Sequence, residues 1–564
     1  MAFDGIVTKS VVAELNHCLI GAKITKIFQP NRSDLLLGFY QGGKNYALHL
    51  CVKSGNYHMC LTNHAKPNPL VAPNFCMVLR KHLMSGKLIS IETKGLERVV
   101  ELVFECRNEL NDLVLKRLFI ELTGKHSNII LTTQNQKIID TLIHISPKAN
   151  YYRELLPARE YELPENTKYD FMTISNFEEF IKVLPLFSNQ PLDKDLADTF
   201  TGFSRLFVRH QLDLLCLSEL DQSKDSLFIL YQNIQEIVNC IDTPDIRFVT
   251  LAGEKNKKDY SIEKGHKKND LEINFMIDDF YFEKETTDTF ITTRNNLLRI
   301  ILSYLNKYHK RLENMNKKLK ECDSMDQYRI YGELITANLY RAPKENVDTF
   351  QVENFYDGNR YITIPLDKRF SVSKNATRYF KKYNKLKNAL EIVTKQKKET
   401  EKELDYIESI VFSIEDAQTL ADINEIYQEI VETLLKDSLN QNKKKKGTEK
   451  KSEPLEYTIH GFTVLVGKNN KQNDFLTLRV ASNNDLWFHT QKIHGAHVIL
   501  RTEGKEVDED TLKQCAILAA QHSKAKQSSN VPVDYTYVKY VRKPNAAKPG
   551  MVTYVNYKTL YVTP

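Results

Sequence analysis

The stretch NDLWFHTQKIHGAHVIL, residues 484–500, gathers three histidines around the only tryptophan of a 564-residue chain. His489, His494 and His497 admit three chemistries: metal ligation, proton transfer, or recognition through ring stacking and hydrogen bonds. Their spacing matches no helical zinc pattern, and the nearby Asp485 would have to turn back to join them, so no metal is expected. A catalytic histidine needs a nucleophile or an acidic orienting partner, and the stretch shows neither. His489 and His497 are therefore expected to pack or hydrogen-bond, with Trp487 either a core anchor or a surface on which RNA stacks.

Other reactive patterns are equally sparse. GKHS at residues 124–127 resembles the end of a phosphate loop, but the upstream glycine of such a loop would fall at Phe119. No nucleophile elbow or kinase motif set occurs, and Asp278 and Asp279 read as a solvated acidic face. What remains is recognition chemistry. In VGKNNKQND, residues 466–474, Lys468, Asn469 and Asn470 suit either a turn whose N–H groups face an anion or a plain hairpin loop. The tail VDYTYVKYVRKPNAAKPGMVTYVNYKTLYV interleaves six tyrosines with Lys539, Arg542, Lys543, Lys548 and Lys558. Aromatic faces stack on bases and cations meet phosphates, so this mixture fits structured RNA or a tyrosine-rich sheet edge.

Positioning such residues requires several folded modules, since 564 residues exceed one ordinary domain and 41% apolar composition supplies several cores. No apolar run approaches the roughly 20 residues that span a bilayer, so no membrane partner is expected. Nine cysteines are scattered without a CxxC pair, which reads as idle thiols of a reducing cytosol with structural zinc improbable. The net charge of +7 is small beside 79 basic and 72 acidic residues, so placement rather than total charge carries information.

Along the chain, residues 1–170 read as an α+β domain with strands such as LLLGFY, ERVVELVFE, RLFIEL and NIILTT and a helix, NFCMVLRKHL, after Pro73. Residues 171–285 are helical in pattern, with a break at Gly202 compatible with a helix-hairpin-helix. From 286 to 437, Leu298, Leu305, Leu312 and Leu319, interleaved with Ile301, Tyr308, Met315 and Cys322, set out a coiled-coil seam. A second arm runs through Leu386, Val393, Thr400 and Ile407. Between the arms, Asp357-Gly358 separates two β-type runs, giving a hairpin tip near 350–366. Residues 438–454 are a lysine-rich linker, and residues 455–564 form a second α+β domain.

VGKNNKQND, DLWFHTQKIHGAHVIL, VPVDYTYVKYVRKP and AKPGMV resemble the C-terminal NFACT-R domain, while FDGI, TGKHSNIIL, RIYGELITANLY and KYNKLKNA resemble the other parts of the NFACT family, in the same order. The resemblance implies an NFACT-N domain similar to formamidopyrimidine-DNA glycosylases, a helix-hairpin-helix, a coiled coil and an RNA-binding NFACT-R domain in which Lys468, Asn469, Asn470, Trp487, His489, His497, Arg542, Lys543 and Lys548 would contact RNA. It implies binding to large (50S) ribosomal subunits and their 23S rRNA, still blocked by peptidyl-tRNA, and recruitment of alanyl-tRNA for untemplated alanine tailing. On this reading the chain is cytoplasmic and ribosome-associated, uses no cofactor and catalyses nothing itself, because the ribosome forms the peptide bond. The glycosylase reaction is not expected, since those enzymes use an N-terminal proline and Ala2 and Phe3 follow the initiator here. The family's tRNA-dependent Asp-Arg dipeptide corresponds to Glu97 and Arg98, so the carboxylate is one methylene longer, and Asp4 matches another acidic position. An older family name implies the other expectation, a surface adhesin that binds fibronectin.

Overall fold

A computed structural model describes residues 3–146, 153–185, 190–220, 222–252, 258–345, 347–435 and 452–564. Ala2 and the lysine run at 443–451 lie outside the described residues. The chain divides into two units, residues 1–285 and 286–564.

The first unit opens with α1 (Gly5–Leu19), followed by β1 (Lys23–Phe28), β2 (Asp34–Gln41), β3 (Lys44–Cys51), β4 (His58–Leu61), α2 (Asn74–Leu83), β5 (Lys87–Thr93), β6 (Val99–Arg107), β7 (Leu113–Glu121), β8 (Asn128–Thr133) and β9 (Ile138–Thr141). The nine strands form one sheet in the order β4-β3-β2-β1-β5-β6-β7-β8-β9. Alternation decides which face each strand buries: Leu35, Leu37 and Phe39 of β2, and Val100, Leu102 and Phe104 of β6, are fully buried and share the main core with Ile6, Val11 and Leu15 of α1. The unbroken apolar runs have a different cause. A second cluster of Val99, Phe119, Ile130, Ile138, Leu155 and Tyr161 covers the opposite face at β6 to β9, so Ile129, Ile130 and Leu131 of β8 are all buried. Each such side chain contributes about 1.5–3 kcal/mol by leaving water.

Next come α3 (Phe177–Val183), α4 (Leu192–Thr199), α5 (Arg205–Leu214) and α6 (Lys224–Asn239). An antiparallel hairpin of β10 (Ile246–Ala252) and β11 (Lys258–Lys264) then interrupts what the sequence pattern presents as wholly helical. Phe248, Tyr260 and Ile262 bury one face of this hairpin in the main core, an interaction that local periodicity does not reveal. α4 and α5 are joined by a short turn in which Gly202 has φ +79°.

α7 (Glu272–Cys322) begins 14 residues ahead of the expected boundary, because Ile273, Ile277 and Tyr281 are already buried in the first unit's core. In the second unit, α7 pairs with α9 (Val372–Asp416), while α8 (Met325–Ala337), β12 (Thr349–Asn354) and β13 (Arg360–Pro365) lie between them in sequence. The pair is antiparallel: Arg294 donates to the Ile414 and Glu415 carbonyls, whereas Cys322 lies against the Leu386 carbonyl. Ile301, Met315 and Cys322 are buried on one side and Val393, Thr400 and Ile407 on the other, with the hydroxyl of Thr400 satisfied by Gln396 O at 2.8 Å. At the hairpin tip, Gly358 and Asn359 both take positive φ in a five-residue turn closed by the Asn354–Arg360 pair.

The remainder contains α10 (Leu420–Thr433), β14 (Leu455–Ile459), β15 (Phe462–Val466), α11 (Asn470–Phe475), β16 (Leu486–Thr490), β17 (Val498–Leu500), α12 (Glu509–Gln521), β18 (Val531–Tyr537), β19 (Val541–Arg542), β20 (Thr553–Tyr554) and β21 (Lys558–Val562). Six of these strands form a sheet in the order β14-β15-β17-β16-β18-β21. Leu486 and Phe488 bury against Cys515, Ala516 and Ala519 of α12, and Trp487, between them in β16, points to the other face with Leu476, Val538 and Val541.

Candidate nucleic-acid interface

In the first unit, Asp4, Glu97 and Arg98 line one cleft of about 1080 Å³, together with Lys125, His126, Lys168, Ser204 and Arg205. Five chain segments build it, and close backbone contacts hold several of them together. Gly5 N–H donates to Gly202 O at 2.8 Å, and Leu122 N–H donates to Arg98 O at 2.8 Å. The β5–β6 loop presses between the first two segments: a Cβ on Gly5 would lie 1.9 Å from Leu96 O, and one on Gly202 would lie 2.2 Å from the same atom. Only glycine admits this approach, and Gly202 also needs it for its positive φ.

Asp4 caps α1 by accepting from Val7 N–H at 3.1 Å, and Ser204 Oγ donates to its other oxygen at 2.6 Å. Burial pushes the Asp4 carboxyl up to about 6, against the lowering effects of those hydrogen bonds and of nearby Arg98. Asp4 is thus a buried brace at the cleft floor. Arg98 is half-buried and uses one terminal nitrogen to donate to Tyr57 Oη at 2.9 Å. Glu97 accepts from Asn166 Nδ2 at 3.1 Å, and Asn166 also donates to Thr201 Oγ1 at 2.7 Å. Lys125 and His126 stand exposed on the β7–β8 turn, where Gly124 and Ser127 exchange hydrogen bonds. That turn joins two antiparallel strands instead of a strand and a helix, so GKHS is not a phosphate loop. Cations and carboxylates line the cleft together, and hydrogen bonds orient Asp4, Glu97 and Arg98; such a wall can read a phosphate together with a base or ribose edge.

In the second unit, the predicted residues separate into two groups. VGKNNKQND is neither an anion-facing turn nor a hairpin loop. It ends β15 and enters α11, whose N-cap Asn469 accepts from Gln472 N–H at 2.9 Å. Asn469 and Gln472 donate to Glu425 at 2.9 and 2.8 Å, while Asn470 donates to Ser409 and Glu429, both at 3.0 Å. Lys468 lies 3.4 Å from Asp422, and Lys548 pairs with Glu403 while its ammonium sits 4.6 Å from the Tyr406 ring centroid. Lys543 pairs with Asp474. The Lys543 pair is internal to the C-terminal domain, whereas the others fasten that domain to α9 and α10, because a buried acid such as Glu429 demands donors wherever the chain can supply them.

Trp487 is 1% exposed and stacks on His489 at 5.6 Å, with the His497 edge at 5.2 Å and Tyr554 at 4.8 Å. It is a core anchor and offers no face to RNA. His497 Nδ1 bonds Thr477 Oγ1 at 2.8 Å, and burial pushes His489 down to about 4 and His497 well below the usual histidine range. Both rings are neutral at physiological pH and supply no charge to a phosphate. His494 turns to Glu408, so the three histidines do not converge on a metal among the described residues.

Other residues of this domain are exposed, and the strand register divides them between the two sides of the sheet. Tyr537, Tyr557 and Tyr561 are 46%, 48% and 64% exposed, Lys539 lies 5.1 Å from the Tyr537 ring, and Arg542 and Lys558 are exposed nearby in sequence. β18 pairs with β21 so that Tyr535 opposes Lys558 and Pro532 opposes Tyr561. This exposed mixture of rings and cations is the arrangement that single-stranded or looped RNA uses. Sequence alternation of aromatic and basic residues contained it, but only burial separates these residues from Tyr535, Tyr554, Lys543 and Lys548.

Residues 4–449 match the family described as NFACT N-terminal and middle domains, and residues 455–556 match the NFACT protein RNA binding domain. The chain is 36% identical to the Rqc2 homolog RqcH of Bacillus subtilis over 100% of this chain and 98% of that protein. It is 22% identical to the mouse ribosome quality control complex subunit NEMF over 50% of this chain and 25% of that one. The solved C-terminal part of the fibronectin/fibrinogen-binding protein from Streptococcus suis is 33% identical, covers 49% of this chain and 95% of its own, and superposes with a TM-score of 0.38. Two matched regions, in order and spanning nearly the whole sequence, establish that the chain belongs to the NFACT family of ribosome quality-control proteins.

Proposed function

We propose that this protein binds large ribosomal subunits that still carry peptidyl-tRNA and recruits alanyl-tRNA, so that the ribosome extends the stalled chain with untemplated alanine. The observation that carries the reading is the convergence of Asp4, Glu97 and Arg98 on one cleft, with exposed Lys125 beside them. Arg98 keeps donors beyond the one it gives Tyr57, and a guanidinium with paired donors grips a phosphate or a guanine edge bidentately. The exposed rings and cations of Tyr537, Lys539, Arg542, Tyr557 and Lys558 supply a second RNA contact, on the domain whose family description is RNA binding. The protein positions substrates and the ribosome's own centre makes the bond, so no catalytic residue is assigned here.

Sequencing the RNA that co-purifies with the protein from gently lysed cells tests this. Abundant 23S rRNA with enriched alanine tRNA is expected. RNA-free protein that instead captures fibronectin would favour the adhesin reading suggested by the name of the streptococcal structure.

A further inference from the structure

Away from the cleft residues, β3 and β4 bring His49, His58 and Cys60 together in the core of the first unit. His49 opposes Cys60 and Cys51 opposes His58 in the β-ladder, so all four residues project from the same face of one hairpin. His49 and His58 are each 3% exposed, Cys60 is fully buried, and one ligand atom from each of the three lies within 4.8 Å of the others.

Hydrogen-bond logic shows why the group is unusual. His58 Nδ1 lies 2.7 Å from the Asn56 carbonyl oxygen, which only accepts, so this nitrogen carries the proton. A neutral His58 then turns the lone pair of Nε2 toward His49 Nδ1, 3.3 Å away. If His49 donates from Nδ1, its Nε2 lone pair faces the Asp34 carboxylate 3.7 Å away, and that buried nitrogen has no hydrogen-bond partner among the described residues. If the proton sits on Nε2 instead, Asp34 is satisfied but two ring lone pairs confront each other. For a neutral His49, a cation bound by both lone pairs removes the conflict. Zinc–nitrogen bonds of about 2.0–2.1 Å in tetrahedral geometry place two nitrogens about 3.3–3.4 Å apart, which the observed separation meets. The outer nitrogens would then donate to a carboxylate and a backbone carbonyl, the usual supports of metal-bound histidines.

We propose that His49 Nδ1, His58 Nε2 and Cys60 Sγ bind a divalent d-block cation of the zinc class, which pins the β3–β4 hairpin. A water from the adjoining 300 Å³ cavity lined by Asp34, Cys51 and His58 completes the coordination. The Cys60 thiol loses its proton on binding, and no redox step is involved. This assignment departs from the scattered cysteine spacing, because the ligands are neighbours across a ladder and not along a CxxC turn.

The test uses the full-length, tag-free protein purified under reductant without chelator. Elemental analysis should find about one zinc per chain, and cobalt(II) added to chelator-treated protein should give a thiolate charge-transfer band. Cys60→Ser should abolish the band, and His58→Gln should cut metal content at least tenfold, while Cys216→Ser, which alters an exposed cysteine, should change neither. Circular dichroism identifies any variant that fails to fold, and for such a variant the wild-type measurements decide alone. Wild-type protein without stoichiometric metal and without a cobalt–thiolate band would overturn the proposal.

Discussion

Replacing Arg98 by alanine separates recognition from folding. Its only hydrogen bond to a described side chain is the 2.9 Å contact with Tyr57 Oη, at a half-buried site that solvent screens. Losing that bond should cost about 1 kcal/mol, a fall of about 2–4 °C in the melting temperature of a domain this size. Tyr57→Phe removes the same bond while keeping the cation and should show the same small shift. The effect on tRNA should be much larger, since paired hydrogen bonds to a phosphate or base edge contribute about 1–3 kcal/mol, or about 5–150-fold in Kd. Arg98→Lys retains the charge and loses the fork, so it should fall between wild type and alanine. Filter binding of alanine tRNA at fixed salt, paired with thermal melts of the same preparations, measures both quantities. If Arg98→Ala binds within twofold of wild type while Tyr57→Phe weakens binding, the cleft does not work through this guanidinium.

Three further outcomes follow from the same geometry. Binding of tRNA should weaken steeply with potassium, with a logarithmic slope of about −0.7 to −0.9 per phosphate contacted, and a flat response would remove the exposed cations from the interface. Gly202→Ala places a Cβ 2.2 Å from Leu96 O at φ +79° and should destabilise the first unit by about 2–4 kcal/mol in thermal melts; an unchanged melting temperature would show that the loops are not held as described. His489 and His497 both have folded-state values depressed below the ordinary value near 6.5. The unfolded chain therefore binds more protons below about 6.5, so their contribution is complete above that pH and is lost as pH falls toward about 4. Trp487, the only tryptophan and packed on His489, reports this directly: its urea midpoint should drop between pH 7 and pH 5, and His489→Gln should flatten the drop. A wild-type midpoint equal at both pH values would contradict the neutral rings.

Much of the architecture is readable from local pattern, because burial on one face imposes it. Leu35, Leu37 and Phe39 alternate as a half-buried strand must, and Ile301, Met315 and Cys322 recur every seven residues as a helix seam must. The β10–β11 hairpin is not legible in this way, since its burial depends on distant helices and not on its own composition. The same distinction divides the sites. Asp4, Glu97 and Arg98 sit 93 or more residues apart or side by side in sequence, and motif resemblance alone joins them; the glycine contacts that unite them belong to tertiary structure. Lys468, Asn469, Asn470 and Lys548 look like RNA ligands because they are polar and clustered. Their partners Asp422, Glu425, Glu429 and Glu403 come from helices 40 or more residues earlier, and no local pattern announces that pairing.

The most direct test is reconstitution with purified large subunits carrying a peptidyl-tRNA, the protein, and tRNAs charged with different amino acids. The nascent chain is then released and weighed by mass spectrometry. The account predicts successive additions of one alanine mass that require the protein, fail with Arg98→Ala and do not occur with other charged tRNAs. No extension, or extension that proceeds equally without the protein or with Arg98→Ala, would contradict it.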